Sequence, residues 1–220
     1  MPTTDEGKST GADAPAARPA GATQRSKAKE DRRQALLAAA ASLFAVNGFK
    51  SVSLEDLGAA AGVSGPAVYR HFPGKQAVLA DLLATVSREL LDGGRKVVAE
   101  NSDPKLALRR LVEFQVDFAL GKPEVIRVQD RDLSNLSEQD QSAVRALQRS
   151  YVEVWVDVLS RLHPGTDAAE LRTRAHATFG LINSTPHSVR SHGRRMAAAA
   201  RPLLEEMALA ALTVDSPQVR

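Results

Sequence analysis

The stretch SLEDLGAAAGVSGPAVYRHFPGK, residues Ser53 to Lys75, decides the fold. Ser53 with Asp56 three residues later fits a capping box, Asp standing in the usual Glu place, and so opens a short helix. Ala61-Gly62 stops that helix. Ser64 then caps a second one, with Pro66 in its first turn, where a missing N–H costs nothing. Phe72-Pro73-Gly74 breaks the chain again, and Lys75 opens the next helix. Leu54, Leu57, Val63 and Val68 give the two short helices one apolar core. Two helices about a tight turn containing Gly62 make a helix-turn-helix, the pattern that lays its second helix in a DNA major groove. That second helix is too short to be stable alone, so its neighbours must hold it.

Upstream, Leu37, Ala40, Ala41 and Phe44 recur at helical spacing, and Asn47-Gly48 ends their helix, which is expected from about residue 30. Residues 1–25 contain no Leu, Ile, Val, Phe, Tyr or Trp. They cannot repay their ordering entropy by burial, which predicts a disordered tail. Arg25, Lys27, Lys29, Arg32 and Arg33 thicken the charge at its end. Two readings stand for them: a solvated lead-in to the helix, or a basic arm that follows DNA. Downstream, the punctuation predicts helices from Asp103-Pro104 to Leu120, over 123–132, from Ser137 (with Asp140) to about Leu162, from Asp167 to about Ser184, and over 194–213. His163-Pro164-Gly165 is a strong stop between two of them. No alternating strand pattern occurs, so the fold class is all-α. The expected layout is a tail over 1–25, a three-helix DNA-binding unit over 26–74 and a larger helical unit over 75–220.

The 220 residues include 43% hydrophobic side chains, enough for a real core. The chain has no cysteine, which excludes disulfides, thiolate metal sites and cysteine nucleophiles. No apolar run approaches the roughly 20 residues of a membrane span, and the N-terminus lacks a secretory pattern, so a cytoplasmic protein is expected. The net charge is +3, and residues 1–75, with 10 Lys/Arg against 7 Asp/Glu, account for all of it. A basic module joined to a neutral remainder fits a DNA-binding unit attached to something that does not bind DNA. There is no phosphate-cradling Gly loop, GxSxG elbow or HExxH pair, so an enzyme is not expected. The histidines lack an i, i+4 pair, and no metal or cofactor is expected.

Leu43-Phe44, Gly48-Phe49, Ser53, Ala60-Ala61-Gly62-Val63-Ser64, Tyr69, His71-Phe72 and Lys75 together resemble the tetracycline-repressor (TetR) family of bacterial transcriptional regulators. The resemblance covers about Asp31 to Leu83. It implies an N-terminal three-helix DNA-binding domain, a helical ligand-binding and dimerising domain behind it, a palindromic operator, and repression relieved by a small effector. It also implies phosphate contacts by Tyr69, His71 and Lys75, and places Ser64 at the turn before the recognition helix. Ser53, Gly65, Pro66 and Ala67 complete the expected DNA-facing set. Gly65, Pro66 and Ala67 depart from the family habit of a polar or basic side chain there, which leaves few groups to read base edges. Arg70 is the remaining candidate for a guanine contact, with a phosphate contact as the equal alternative.

In the larger unit, Tyr151, Trp155, His176, Phe179 and Asn183 are the candidate ligand-binding residues, as an apolar cavity with a few polar groups. The ordinary-core reading is the better one for Phe114, Phe118 and Val158. The run FGLINSTPHS (179–188) places Asn, Ser, Thr and Pro in a helix body, against propensity. It resembles a stretch of actinobacterial regulators of lipid metabolism, which implies an acyl-CoA or another apolar effector. The last two helices are the expected homodimer interface, with Met196, Ala199, Leu203, Met207 and Ala210 as an apolar stripe. The alternatives are an enzyme, or a helical binding protein whose helix-turn-helix is only structural.

Overall fold

A computed structural model describes residues 20–184 and 193–215, with side chains left aside at 20–23, 25 and 193–198. The helices run α1 Ala20–Asn47, α2 Leu54–Ala60, α3 Gly65–Tyr69, α4 Lys75–Glu100, α5 Pro104–Gly121, α6 Pro123–Asp132, α7 Glu138–Leu162, α8 Ala168–Asn183 and α9 Gly193–Thr213. No strand occurs among the described residues. The boundaries follow the local chemistry. Ser53 and Asp56 form the full reciprocal capping box, with Ser53 N–H to Asp56 Oδ2 at 2.8 Å and Asp56 N–H to Ser53 Oγ at 3.1 Å. The Ser53 backbone N–H, then its hydroxyl, hold the Asp56 carboxyl below its usual range. Asp103, Ser137 and Asp167 cap α5, α7 and α8 by accepting first-turn backbone N–H groups on their side chains, without the reciprocal bond. Gly62 turns the chain between α2 and α3 at φ 68, a left-handed conformation that suits glycine.

α1 begins at Ala20, ahead of the start expected near residue 30. Residues 1–19 of the expected tail lie outside the described residues, as do residues 185–188 of the FGLINSTPHS run. Ser64 stands at the N-cap of α3 with an extended backbone, but its side chain makes no capping hydrogen bond.

Two cores are built on this order. Leu36, Ala40, Phe44, Leu57, Val68, Phe72, Val78 and Leu79 bind α1 to α4 into the first. Leu108, Leu111, Val112, Trp155, Val158, Leu159, Leu171 and Ile182 form the second, among α5, α7, α8 and α9. Phe114 packs half-buried against the second core, whereas Phe118, expected to be ordinary core, packs against both cores and lines the cavity described below. α4 and α6 serve both cores. α4 gives Leu82, Leu83 and Val86 to the first and Leu91 to the second, so the packing boundary falls inside α4 and not before Lys75. α6 gives Val125 and Val128 to the first and Ile126 to the second.

Polar bonds fasten the α6 end to the small unit. Arg131 donates to the Phe44 carbonyl near the end of α1 and reaches the Asp132 carboxylate at 3.0 Å. Gln76 in the first turn of α4 donates to the Asn135 carbonyl at 2.8 Å.

Candidate nucleic-acid interface and effector cavity

α3 is held from behind and open in front. Val68 is fully buried, and Phe72, just past its end, is 2% exposed. The Arg33 guanidinium lies 4.7 Å over the Phe72 ring and pairs with Asp81 at 2.8 Å, which ties α1 to α4 around that ring. Pro66, Tyr69 and Arg70 face solvent, Tyr69 with 55% exposure, while Gly65, Ala67 and His71 are half-buried. Pro66 and Tyr69 of the five-residue helix, with Arg70 as its C-cap, thus share its free surface, and Val68 is its one buried side chain. Gly65 lies against α2, where an added Cβ would meet Glu55 Cγ at 3.9 Å. That carboxylate beside the start of α3 was not among the sequence candidates.

The other expected contacts have further roles. Ser53 is engaged in its capping box. The Lys75 ammonium donates to the Lys50 carbonyl at 3.2 Å and sits 4.7 Å over the Phe49 ring. It therefore stands on the α1–α2 connection as well as at the start of α4. His71 has its Nδ1 enclosed with no hydrogen-bond partner. Burial, then Lys29, Arg33, Arg32 and Arg70, hold its imidazole below the ordinary range. Beside it runs a groove of about 740 Å³ between α1 and α3, walled by Lys29, Arg32, Ser64, Ala67, Arg70 and His71.

The larger unit holds a partly open cavity of about 200 Å³ between α4, α5, α6, α7 and α8. Four of the five sequence candidates line it: Tyr151, His176, Phe179 and Asn183. The fifth, Trp155, is fully buried one layer behind and meets Tyr151 and Phe179 edge-on, at 6.3 Å and 5.0 Å between ring centres. It shapes the wall instead of lining it. Tyr151 and Phe179 stack at 5.6 Å. The Tyr151 hydroxyl donates to Gln115 Oε1 at 3.0 Å, and Gln115 Nε2 donates to Asn183 Oδ1 at 3.1 Å. Burial pushes the Tyr151 phenol well up, so the phenol stays neutral. Ser87, Gln129 and Gln148 add polar lining, and Gln148 Nε2 has no partner. No lysine, arginine or carboxylate lines the cavity among the described residues. Sequence reasoning missed Gln115 and Gln148. The available signal was a glutamine inside the apolar stripe of α5, where Gln115 is 2% exposed.

α9 buries Ala208 and Leu212 and half-buries Leu204, while Ala199, Leu203, Met207 and Ala210 face outward. Leu203 is 61% exposed and Met207 46%. The Met196 side chain lies outside the described residues. Exposed Ala177 and Gly180 give α8 a small-residue outer face beside this stripe. No helix among the described residues is long and apolar enough to cross a membrane.

Comparison with known proteins matches the chain in two parts. The family model for bacterial regulatory proteins of the tetR family matches residues 36–82, and the tetracyclin repressor-like C-terminal domain matches residues 101–212. The transcriptional repressor KstR2 of Rhodococcus jostii is 26% identical over 60% of this chain and 65% of its own length. The transcriptional regulator EthR of Mycolicibacterium smegmatis is 36% identical over 39% of this chain and 40% of its own. The chain thus spans less than two thirds of the length of these curated relatives. A TetR-family regulator from Bordetella parapertussis superposes with a TM-score of 0.72 at 25% identity, covering 84% of this chain and 98% of that one. FadR of Bacillus subtilis, solved with stearoyl-CoA, shares the fold at a TM-score of 0.65 and 14% identity, over 81% of this chain and 98% of its own. With its helix-turn-helix half and its larger helical half each matched in turn, the chain belongs to the TetR family of bacterial regulatory proteins.

Proposed function

We propose that this protein is a DNA-binding transcriptional repressor, a homodimer released from a palindromic operator by an apolar effector. The observation that carries the reading is α3 itself: a helix anchored by Val68 and Phe72 that leaves Pro66, Tyr69 and Arg70 free. Tyr69, His71, Ser64 and Lys75 serve the phosphates, with Ser53 fixing α2 behind them. Gly65, Pro66 and Ala67 let the helix approach the base edges closely. The outward stripe of α9 beside the small residues of α8 supports the dimer, since apolar side chains aligned along one helix are best covered by a second copy. A two-fold dimer sets its half-sites about one DNA turn, or a multiple of it, apart.

The effector reading rests on the cavity. Tyr151, Phe179 and the carboxamides of Gln115, Gln148 and Asn183 offer a chamber of mixed apolar and polar lining, without lysine, arginine or carboxylate among the described residues. It suits an acyl chain or a similar body carrying a carbonyl or hydroxyl, and any coenzyme A phosphates would lie outside. Ile126 and Gln129 of α6 face the cavity, and Arg131 of the same helix holds the end of α1. A ligand that shifts α6 thereby moves the small unit, and its differential affinity for the two arrangements sets operator affinity.

Binding to the protein's own promoter DNA, followed through a salt series, tests the reading. Affinity is expected to fall steeply with salt; salt-independent binding, or none, overturns it. Arg70→Ala is expected to relax preference at one base step per half-site, by roughly 1–3 kcal/mol. A uniform loss over all operator variants makes Arg70 a backbone contact instead. In a thermal-shift series of fatty acids, acyl-CoAs and neutral carbonyl compounds, a true effector at 100 times its Kd stabilises by about 2.7 kcal/mol. It must also lower operator affinity.

A further inference from the structure

Building on the DNA-binding reading above, we propose that the N-terminal part of α1 is a second DNA-backbone site, where Lys29 and Arg32 grip phosphates of the operator flank while α3 occupies the major groove.

The first observation is an overhang. α1 begins at Ala20, yet its first buried side chain is Leu36, and Gln24 and residues 26–32 are all exposed. A helical segment with no packed face gains nothing from tertiary burial and is marginal alone. From Ala20 to Arg32 it runs about 18 Å, close to half a turn of duplex DNA.

The second is position. Lys29 and Arg32 form one wall of the groove whose other wall is Ser64, Ala67, Arg70 and His71. A backbone that passes Arg70 and His71 runs between the two walls.

The third is charge. Arg33 is taken up by Asp81, but no carboxylate among the described residues pairs with Lys29 or Arg32, and neighbouring Glu30 bonds Gln34 along the helix. Lys29, Arg33, Arg32 and Arg70 all act on the one His71 ring and disfavour its proton. The field that repels a proton there attracts a phosphate.

The test is the double variant Lys29→Ala/Arg32→Ala on promoter duplexes, followed by fluorescence anisotropy. The slope of log K against log salt is expected to flatten by about 0.9 for each phosphate that the variant no longer neutralises. The ratio of operator to non-specific affinity should hold, because these groups read no bases. Trimming the duplex flanks should weaken the wild type and leave the variant indifferent. Lys29→Arg/Arg32→Lys should restore the slope. Both side chains are exposed, so the thermal midpoint should not move. An unchanged slope in a variant that still binds the operator overturns the proposal, and so does a collapse of the specificity ratio. If the wild type binds no duplex, the DNA-binding reading fails, and this site falls with it.

Discussion

Gly58→Ala is expected to cost the protein most of its operator binding. Gly58 lies on α2 where α3 crosses it. An added Cβ would stand 2.9 Å from the Val63 carbonyl oxygen and 3.0 Å from Val68 Cγ2. The carbonyl belongs to the turn, which cannot retreat cheaply, because the Val63 N–H donates back to Gly58 O at 2.9 Å. Val68 is fully buried, so its side chain cannot swing out to solvent without leaving the core. The two short helices must therefore move apart, at about 1–3 kcal/mol for an overpacked contact. α3 then loses the seat that presents Tyr69 and Arg70. A tenfold or greater fall in operator affinity, with a lowered thermal midpoint for the small unit, is the expected outcome. Wild-type affinity in a folded Gly58→Ala variant would mean that the crossing has slack the structure does not display.

Arg174→Ala is expected to loosen the far end of the molecule. The guanidinium is buried between α8 and the end of α9, where it donates to the Leu212 carbonyl at 3.3 Å and also to that of Val214. It pairs with Glu170 one turn back at 2.6 Å. His163 Nε2 lies 3.1 Å from the same Leu212 oxygen. The final carbonyls of a helix have no partners within it, so α9 relies on α8 and on the α7–α8 turn to satisfy them. Hydrogen bonds to a charged group contribute about 1.5–3 kcal/mol, and Glu170 is exposed enough to be solvated once its partner is gone. A loss of about 2–3 kcal/mol is expected, or roughly 5–10 °C in the midpoint at this chain size. Because α8 and α9 carry the proposed dimer face, the midpoint should also become more dependent on protein concentration. Arg174→Lys should recover only part of the loss, since an ammonium lacks the planar fork that spans both carbonyls and the carboxylate. A variant as stable as the wild type would assign the end of α9 to apolar contacts alone.

The sequence by itself determined the elements and their punctuation. Ser53, Asp103, Ser137 and Asp167 start helices, and Gly62 turns the chain, because capping and turn chemistry act over a few residues and need no partner from elsewhere. The all-α class and the helix-turn-helix were legible for the same reason. Only the tertiary structure decided who meets whom. Gln115 finds Asn183 across 68 residues, and Arg131 finds the Phe44 carbonyl across 87. It also moved Trp155 behind the cavity wall, put Lys75 on the Phe49 ring, and set Lys29 and Arg32 opposite α3. Helical periodicity tells which face of a helix turns inward. It carries no record of which other helix lies there, because that choice is made by packing the whole set of faces at once.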